Sequence, residues 1–129
     1  TLITPDGSGT TSGSVKMDWV SSKLTYAATI TDSARGDHNC TFPNVVAGSA
    51  IGTAATLLLQ ALGMLPKSGS IITGSQCYFN NAQAERSFVR GGYYSTSALG
   101  FASFYGDYDR SNAHGSFGFR SAFVKLPAA

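Results

Sequence analysis

The residues able to do chemistry are few and widely spread. In "DYDRSNAHGSFG" (107–118), Asp107, Asp109 and Ser111 stand at alternate positions, as at the start of a calcium loop. Such a loop needs glycine sixth, for its sharp turn, and a bidentate glutamate twelfth; here those positions hold Asn112 and Gly118. The plainer reading is a turn that carries carboxylates. His38 lies beside Asp37 and two residues before Cys40, but zinc takes four ligands and no spacing in the chain supplies them. His38 and His114 each have Ser and Asp nearby, as a general base would, yet no nucleophile-elbow pattern accompanies either. The reading is therefore no catalytic residue, no metal, no cofactor and no enzyme.

Cys40 and Cys77 are too few for a disulfide framework. Two free thiols are the plainer reading and a single bridge the alternative, and the sequence leaves both open. Asn39-Cys40-Thr41 formally fits a glycosylation acceptor, a faint pointer to a secretory origin.

The elements that must hold these residues follow from composition and pattern. A chain of 129 residues is one domain, long enough to bury a core unaided. Charged residues make up 12%, against about 25% in an average soluble protein, so the surface is built largely from Ser, Thr, Gly, Asn and Tyr. With a net charge of +2 and its Lys and Arg scattered singly, the chain lacks the basic stripe of a nucleic-acid binder. No apolar run reaches the roughly 18 residues of a membrane span, so neither nucleic acid nor membrane insertion is expected. A start at Thr1 without Met is that of a processed or excised fragment.

Residues 1–14, with the Gly/Ser/Thr-rich "TPDGSGTTSGS", read as a linker or arm before a domain over 15–129. Val15, Met17 and Trp19 alternate with Lys16 and Asp18, the pattern of a half-buried strand. A second strand is expected at Tyr26–Ile30 and a turn-rich loop over 31–44. The segment 48–70 is the one helix, capped by Ser49, with Ile51, Ala55, Leu58, Leu62 and Leu65 at helical spacing and Pro66 at its exit. With almost no charge, it is expected to be buried on most faces. "SIITG" (70–74) reads as a strand and 76–86 as a helical turn or loop. "SFVR", "GYYS", "FASFY" and "FGFRSAFVKL" are short β-prone runs divided by turn formers. The class is α+β, a short antiparallel sheet with one or two helices and long loops.

Arg90-Gly91-Gly92-Tyr93-Tyr94, the aromatic run Phe101–Tyr105, Arg110-Ser111-Asn112 and Gly118-Phe119-Arg120-Ser121-Ala122 form a skeleton across 86–124. It resembles the C-type-lectin-like fold, in the branch that holds formylglycine-generating-type domains, phage tail-tip receptor binders and the variable proteins of diversity-generating retroelements. The glycines allow positive φ or close backbone approach. Arg90, Arg110 and Arg120 are read as structural, stacking on rings and bonding loop carbonyls. The enzyme branch requires a late cysteine pair, and none follows Cys77. Phe42-Pro43-Asn44 lacks the carboxylate of a lectin calcium site, and no Trp follows Trp19.

Alternation along "FASFYGDYD" puts Phe101, Ser103, Tyr105 and Asp107 on one side and Ala102, Phe104, Gly106 and Tyr108 on the other. Phe88, Phe101, Phe104, Phe117, Phe119 and Phe123 are assigned to the core. Tyrosine wants water or a partner for its hydroxyl, so Tyr93, Tyr94, Tyr105 and Tyr108 are assigned to the surface. Tyr, Ser, Gly and Asn are also the residues of antibody paratopes. Carried over from the resemblance, the ligand-binding positions are Tyr93, Tyr94, Ser95, Ser97, Ser103, Tyr105, Asp107, Tyr108, Asp109, Asn112, His114 and Ser116. The resemblance implies an adhesin module at the tip of a phage tail fibre, on the virion or a cell surface, that binds a bacterial surface protein or glycan; a homotrimer within a fibre goes with it. A fibre-assembly module, a diversified bacterial surface-displayed binder and a formylglycine-type enzyme that has lost its thiols are the alternatives.

Overall fold

The computed structural model describes residues 3–4, 15–68, 74–82, 87–91 and 102–108. In chain order the elements are β1 (Ile3–Thr4), β2 (Val15–Val20), β3 (Lys23–Ala27), β4 (Asp37–Thr41), a 3-10 turn (Phe42–Asn44), β5 (Val45–Ala47), α1 (Thr53–Ala61), β6 (Gln76–Asn80), β7 (Ser87–Arg90) and β8 (Phe104–Tyr108). They form a small α+β domain with two sheets. The first is β2-β3-β5 with the two-residue β1 at its edge, and the second runs β4-β6-β8-β7. Both sheets are mixed, because β1 with β2, β3 with β5 and β6 with β8 are parallel pairs. This corrects the antiparallel expectation: parallel neighbours need long connections, and those between β6 and β8 and between β3 and β5 carry other elements.

The first hairpin is set by its turn. Ser21 and Ser22 both take positive φ (50° and 60°), the two-residue turn whose twist matches that of its flanking strands. It places Met17 opposite Tyr26 and Trp19 opposite Leu24. The second strand therefore occupies Lys23–Ala27 instead of Tyr26–Ile30. A buried carboxylate then draws the chain back across β2. Asp18 accepts hydrogen bonds from the Thr31 amide (2.9 Å), the Thr31 hydroxyl (2.6 Å), the Asp32 amide (2.9 Å) and the Trp19 amide (3.0 Å).

Residues 37–41, expected as loop, form strand β4, and 76–80, expected as a helical turn or loop, form β6 beside it. Both were concealed by their neighbours, the turn-forming "TDSARG" before β4 and the helix-prone "NAQAER" after β6. Of the strand expected at 70–74, residues 70–73 lie outside the described residues.

The helix is shorter than the apolar pattern suggests. It begins after Gly52, with no side-chain cap from Ser49, and ends where Gly63 takes φ +64°. Met64 N–H bonds Leu59 O and Gly63 N–H bonds Gln60 O, the paired closure of a helix C-terminus. Only Leu59 is buried, while Leu57, Leu58 and Leu62 are exposed. Burial on most faces is thus corrected. Three successive leucines point about 100° apart, so periodicity alone does not say which of them turns inward.

One core joins the elements: Met17, Leu24, Tyr26 and Val45 from the first sheet, Cys40, Cys77, Phe79 and Phe104 from the second, and Leu59, Met64 and Leu65 from the helix and its exit. The Tyr26 hydroxyl, fully enclosed, donates to Met64 O at 3.0 Å, and burial pushes its phenol far up. Among the described residues no helix is long and apolar enough to cross a membrane.

Candidate functional site

The second sheet has two unlike faces. Cys77, Phe79 and Phe104 point into the core, so their neighbours Gln76, Tyr78, Asn80 and Tyr105 point away from it. The register places Asn39, Tyr78, Tyr105 and Val89 in one row across all four strands. Tyr78 and Tyr105 pack with ring centroids 5.8 Å apart, and the Tyr105 hydroxyl lies 3.5 Å from Gln76 Oε1. Next to this row, Asn80 Nδ2 donates to Asp37 Oδ1.

An irregularity in β8 brings a third tyrosine to this face. Val89 pairs with Tyr105, but position 87 pairs with Tyr108, so three steps along β8 match two along β7. That is a β-bulge, one extra residue that re-aims the side chains beyond it. Positions 87 and 89 share a face of β7, and so therefore do their partners Tyr108 and Tyr105. The simple alternation that separates these two tyrosines is corrected by the bulge. The half-buried Tyr105 phenol is raised, first by burial and then by the nearby Tyr108.

The bulge falls where Phe88 covers Gly106. A Cβ there would stand 2.7 Å from Phe88 Cε1, so only glycine lets the ring lie against the strand. Phe88 in turn meets Phe104 edge-on at 5.9 Å, and both take the core side assigned to them. Arg90, at the end of β7, donates from one guanidinium nitrogen to Leu62 O (2.9 Å) and Gly63 O (2.7 Å). This is the carbonyl-bonding role read for it, and it places a cation at the helix C-terminus. Gly91 has φ +94°, the positive value expected of it.

Of the proposed ligand-binding positions, the structure brings Tyr105 and Tyr108 together and places position 107 on the same strand. Ser103 is corrected: it is fully buried, and its hydroxyl accepts the Gln76 amide at 3.1 Å, joining β6 to the start of β8. Tyr93, Tyr94, Ser95, Ser97, Asp109, Asn112, His114 and Ser116 lie outside the described residues, as do Phe101, Phe117, Phe119 and Phe123. Tyr78, Asn39, Gln76 and Asn80 were missed. The signal for them was the alternation in "QCYFN", where Cys77 and Phe79 interleave with polar residues.

A second polar cluster lies on the flank. His38 stacks on Trp19 (4.8 Å, 14°) and leans on Phe79. Its Nε2 is 2.9 Å from Asp32 Oδ2, within ion-pair range but without an aligned hydrogen bond. Asp32 also accepts from Asn81 Nδ2 (2.9 Å) and the Ala34 amide (3.0 Å). Burial pushes both carboxyls up, but the bonds to Asp18, and those from Asn81 and Ala34 with His38 beside Asp32, win and leave both below the ordinary value. Among the described residues no group of three His, Cys, Asp or Glu side chains is placed to hold a metal.

An open groove of about 430 Å³ runs between β5 and the helix exit, where Thr56, Gln60 and Lys67 are set among apolar walls. No protein-family model matches the chain, and no curated protein or solved structure matches it.

Proposed function

We propose that this chain is a receptor-binding module that recognises a bacterial surface protein or glycan through the tyrosine face of its second sheet, as the tip of a phage tail fibre or a similar adhesin. One observation carries the reading: the β6–β8 register and the bulge in β8 together put Tyr78, Tyr105 and Tyr108 on the face turned away from the core, bordered by Asn39, Gln76 and Asn80. Half-exposed phenols give large, stiff contact area at small entropic cost, and amide side chains beside them add adaptable hydrogen bonds. The RGG and GFR skeleton supports a C-type-lectin-like frame for this face, and the positive φ of Gly91 and the carbonyl bonds of Arg90 agree with such a frame. Binding is recognition without chemistry.

The test is attachment of the labelled chain to a panel of bacterial cells, compared with a Tyr105→Ala/Tyr108→Ala variant whose fold is checked by circular dichroism. Attachment by the parent and its loss by at least tenfold in the folded variant is the expected result. Equal attachment by both sinks the reading.

A further inference from the structure

Cys40 and Cys77 are the chain's two cysteines, and they face each other directly across the antiparallel pair β4–β6. Both are free and both are buried, with 8% and 0% of their surface exposed. Directly opposed residues share a face of the sheet, so both thiols enter the core from neighbouring strands.

The ladder fixes the type of pair. Asn81 N–H bonds Gly36 O (3.1 Å) at one end and Phe42 N–H bonds Ser75 O (2.7 Å) at the other. Hydrogen-bonded pairs recur at every second step of an antiparallel ladder, which makes 38/79 and 40/77 the pairs of that kind between these ends. Such residues stand about 5.5 Å apart at Cα, within the roughly 4.4–6.8 Å that disulfides span. Their Cβ atoms, at about 5.5 Å, must approach by about 1–2 Å to reach disulfide distance.

We propose that Cys40 and Cys77 form a disulfide-closing site, oxidised by a small disulfide such as oxidised glutathione to an intrachain staple between β4 and β6. One thiolate attacks the small disulfide, giving a mixed disulfide and releasing one reduced thiol. The second cysteine then attacks the protein sulfur of that mixed disulfide and releases the other. The pair loses two electrons and two protons, and the small disulfide becomes two thiols. Closure belongs to folding or to a transient opening of the strands, because in the packed domain burial, and then the neighbouring Cys40, push the Cys77 thiol up to about 12. The required contraction strains the bond, and strained disulfides are the more readily reduced. This inference is independent of the binding role.

The whole chain is unfolded and refolded in a glutathione redox mixture, and in parallel with dithiothreitol. In the glutathione sample, titration in denaturant is expected to find no thiols, the mass to fall by about two hydrogens, and peptide mapping to join residues 40 and 77. The thermal midpoint rises by about 5–10 °C over the reduced sample. Cys77→Ser retains one thiol and shows no such rise. Two free thiols in folded wild type, glutathione adducts, or disulfide-linked dimers each overturn the proposal. Mapping of the wild type decides the matter even if Cys77→Ser does not fold.

Discussion

The flank around Asp18 and the tyrosine face of the second sheet are both rich in polar atoms, and they are organised in opposite ways. On the flank, the carboxyl oxygens of Asp18 and Asp32 are used by the protein's own amides and side chains, and Asp18 is almost wholly enclosed. On the sheet face, polar side chains border rings that stay half-exposed. The difference separates polar groups that hold the fold from ring area left half-exposed on a strand. Internal satisfaction marks the first kind; half-buried aromatic area on a rigid strand marks the second.

Asp18→Ala tests the flank most severely. It strips the acceptor from three amides and a hydroxyl, and is expected to cost about 3 kcal/mol in urea denaturation while attachment by the folded variant is unchanged. A loss under about 1 kcal/mol would erase the distinction. Gly106→Val comes next. Its side chain collides with Phe88, so a loss of about 2 kcal/mol is expected, together with weaker attachment as the bulge shifts.

Acid sharpens the contrast further. Asp18 and Asp32 are held below the ordinary carboxyl value of 3.8, so the stability they add is complete above it and is lost as the pH falls through their lowered folded values. Urea midpoints followed from neutral pH into strong acid should drop on that limb, and Asp18→Asn should flatten the drop. The smallest effect on stability is expected from Tyr105→Phe, which loses only a 3.5 Å contact with Gln76, under about 0.5 kcal/mol, with a measurable loss of attachment. That pairing would confirm that the hydroxyl serves a partner.

Legibility in the sequence varied with the physics behind each feature. The strand at Val15–Val20 was readable because Val15 and Met17 enter the core from one face; the alternation breaks at Asp18, which is buried by the amides it binds. Arg90 was readable because a rigid fork of donors beside glycines has few uses other than bonding carbonyls. The strand β6 was not, since five residues flanked by Asn, Ala and Gln carry too little period to outvote their neighbours. Nor was the serine turn: serine seldom adopts positive φ, and the register of the whole hairpin, with Tyr26 opposite Met17, depends on two of them doing so. At the candidate site, tyrosine's amphipathic character pointed to Tyr105 and Tyr108, but their common direction depends on a pairing with β7 that no local pattern encodes.

The extra residue between Tyr105 and Tyr108 means that the bulge, lying where the Phe88 ring covers Gly106, is what keeps both tyrosines on one face at this chain length. A codon deleted at that step would leave the two rings on one face of a regular pleat, two positions apart, whereas a bulge lost at unchanged length would swing Tyr108 toward the hydrophobic interior. A library built here for new specificities should therefore vary the outward side chains and freeze Gly106 and the ring that covers it.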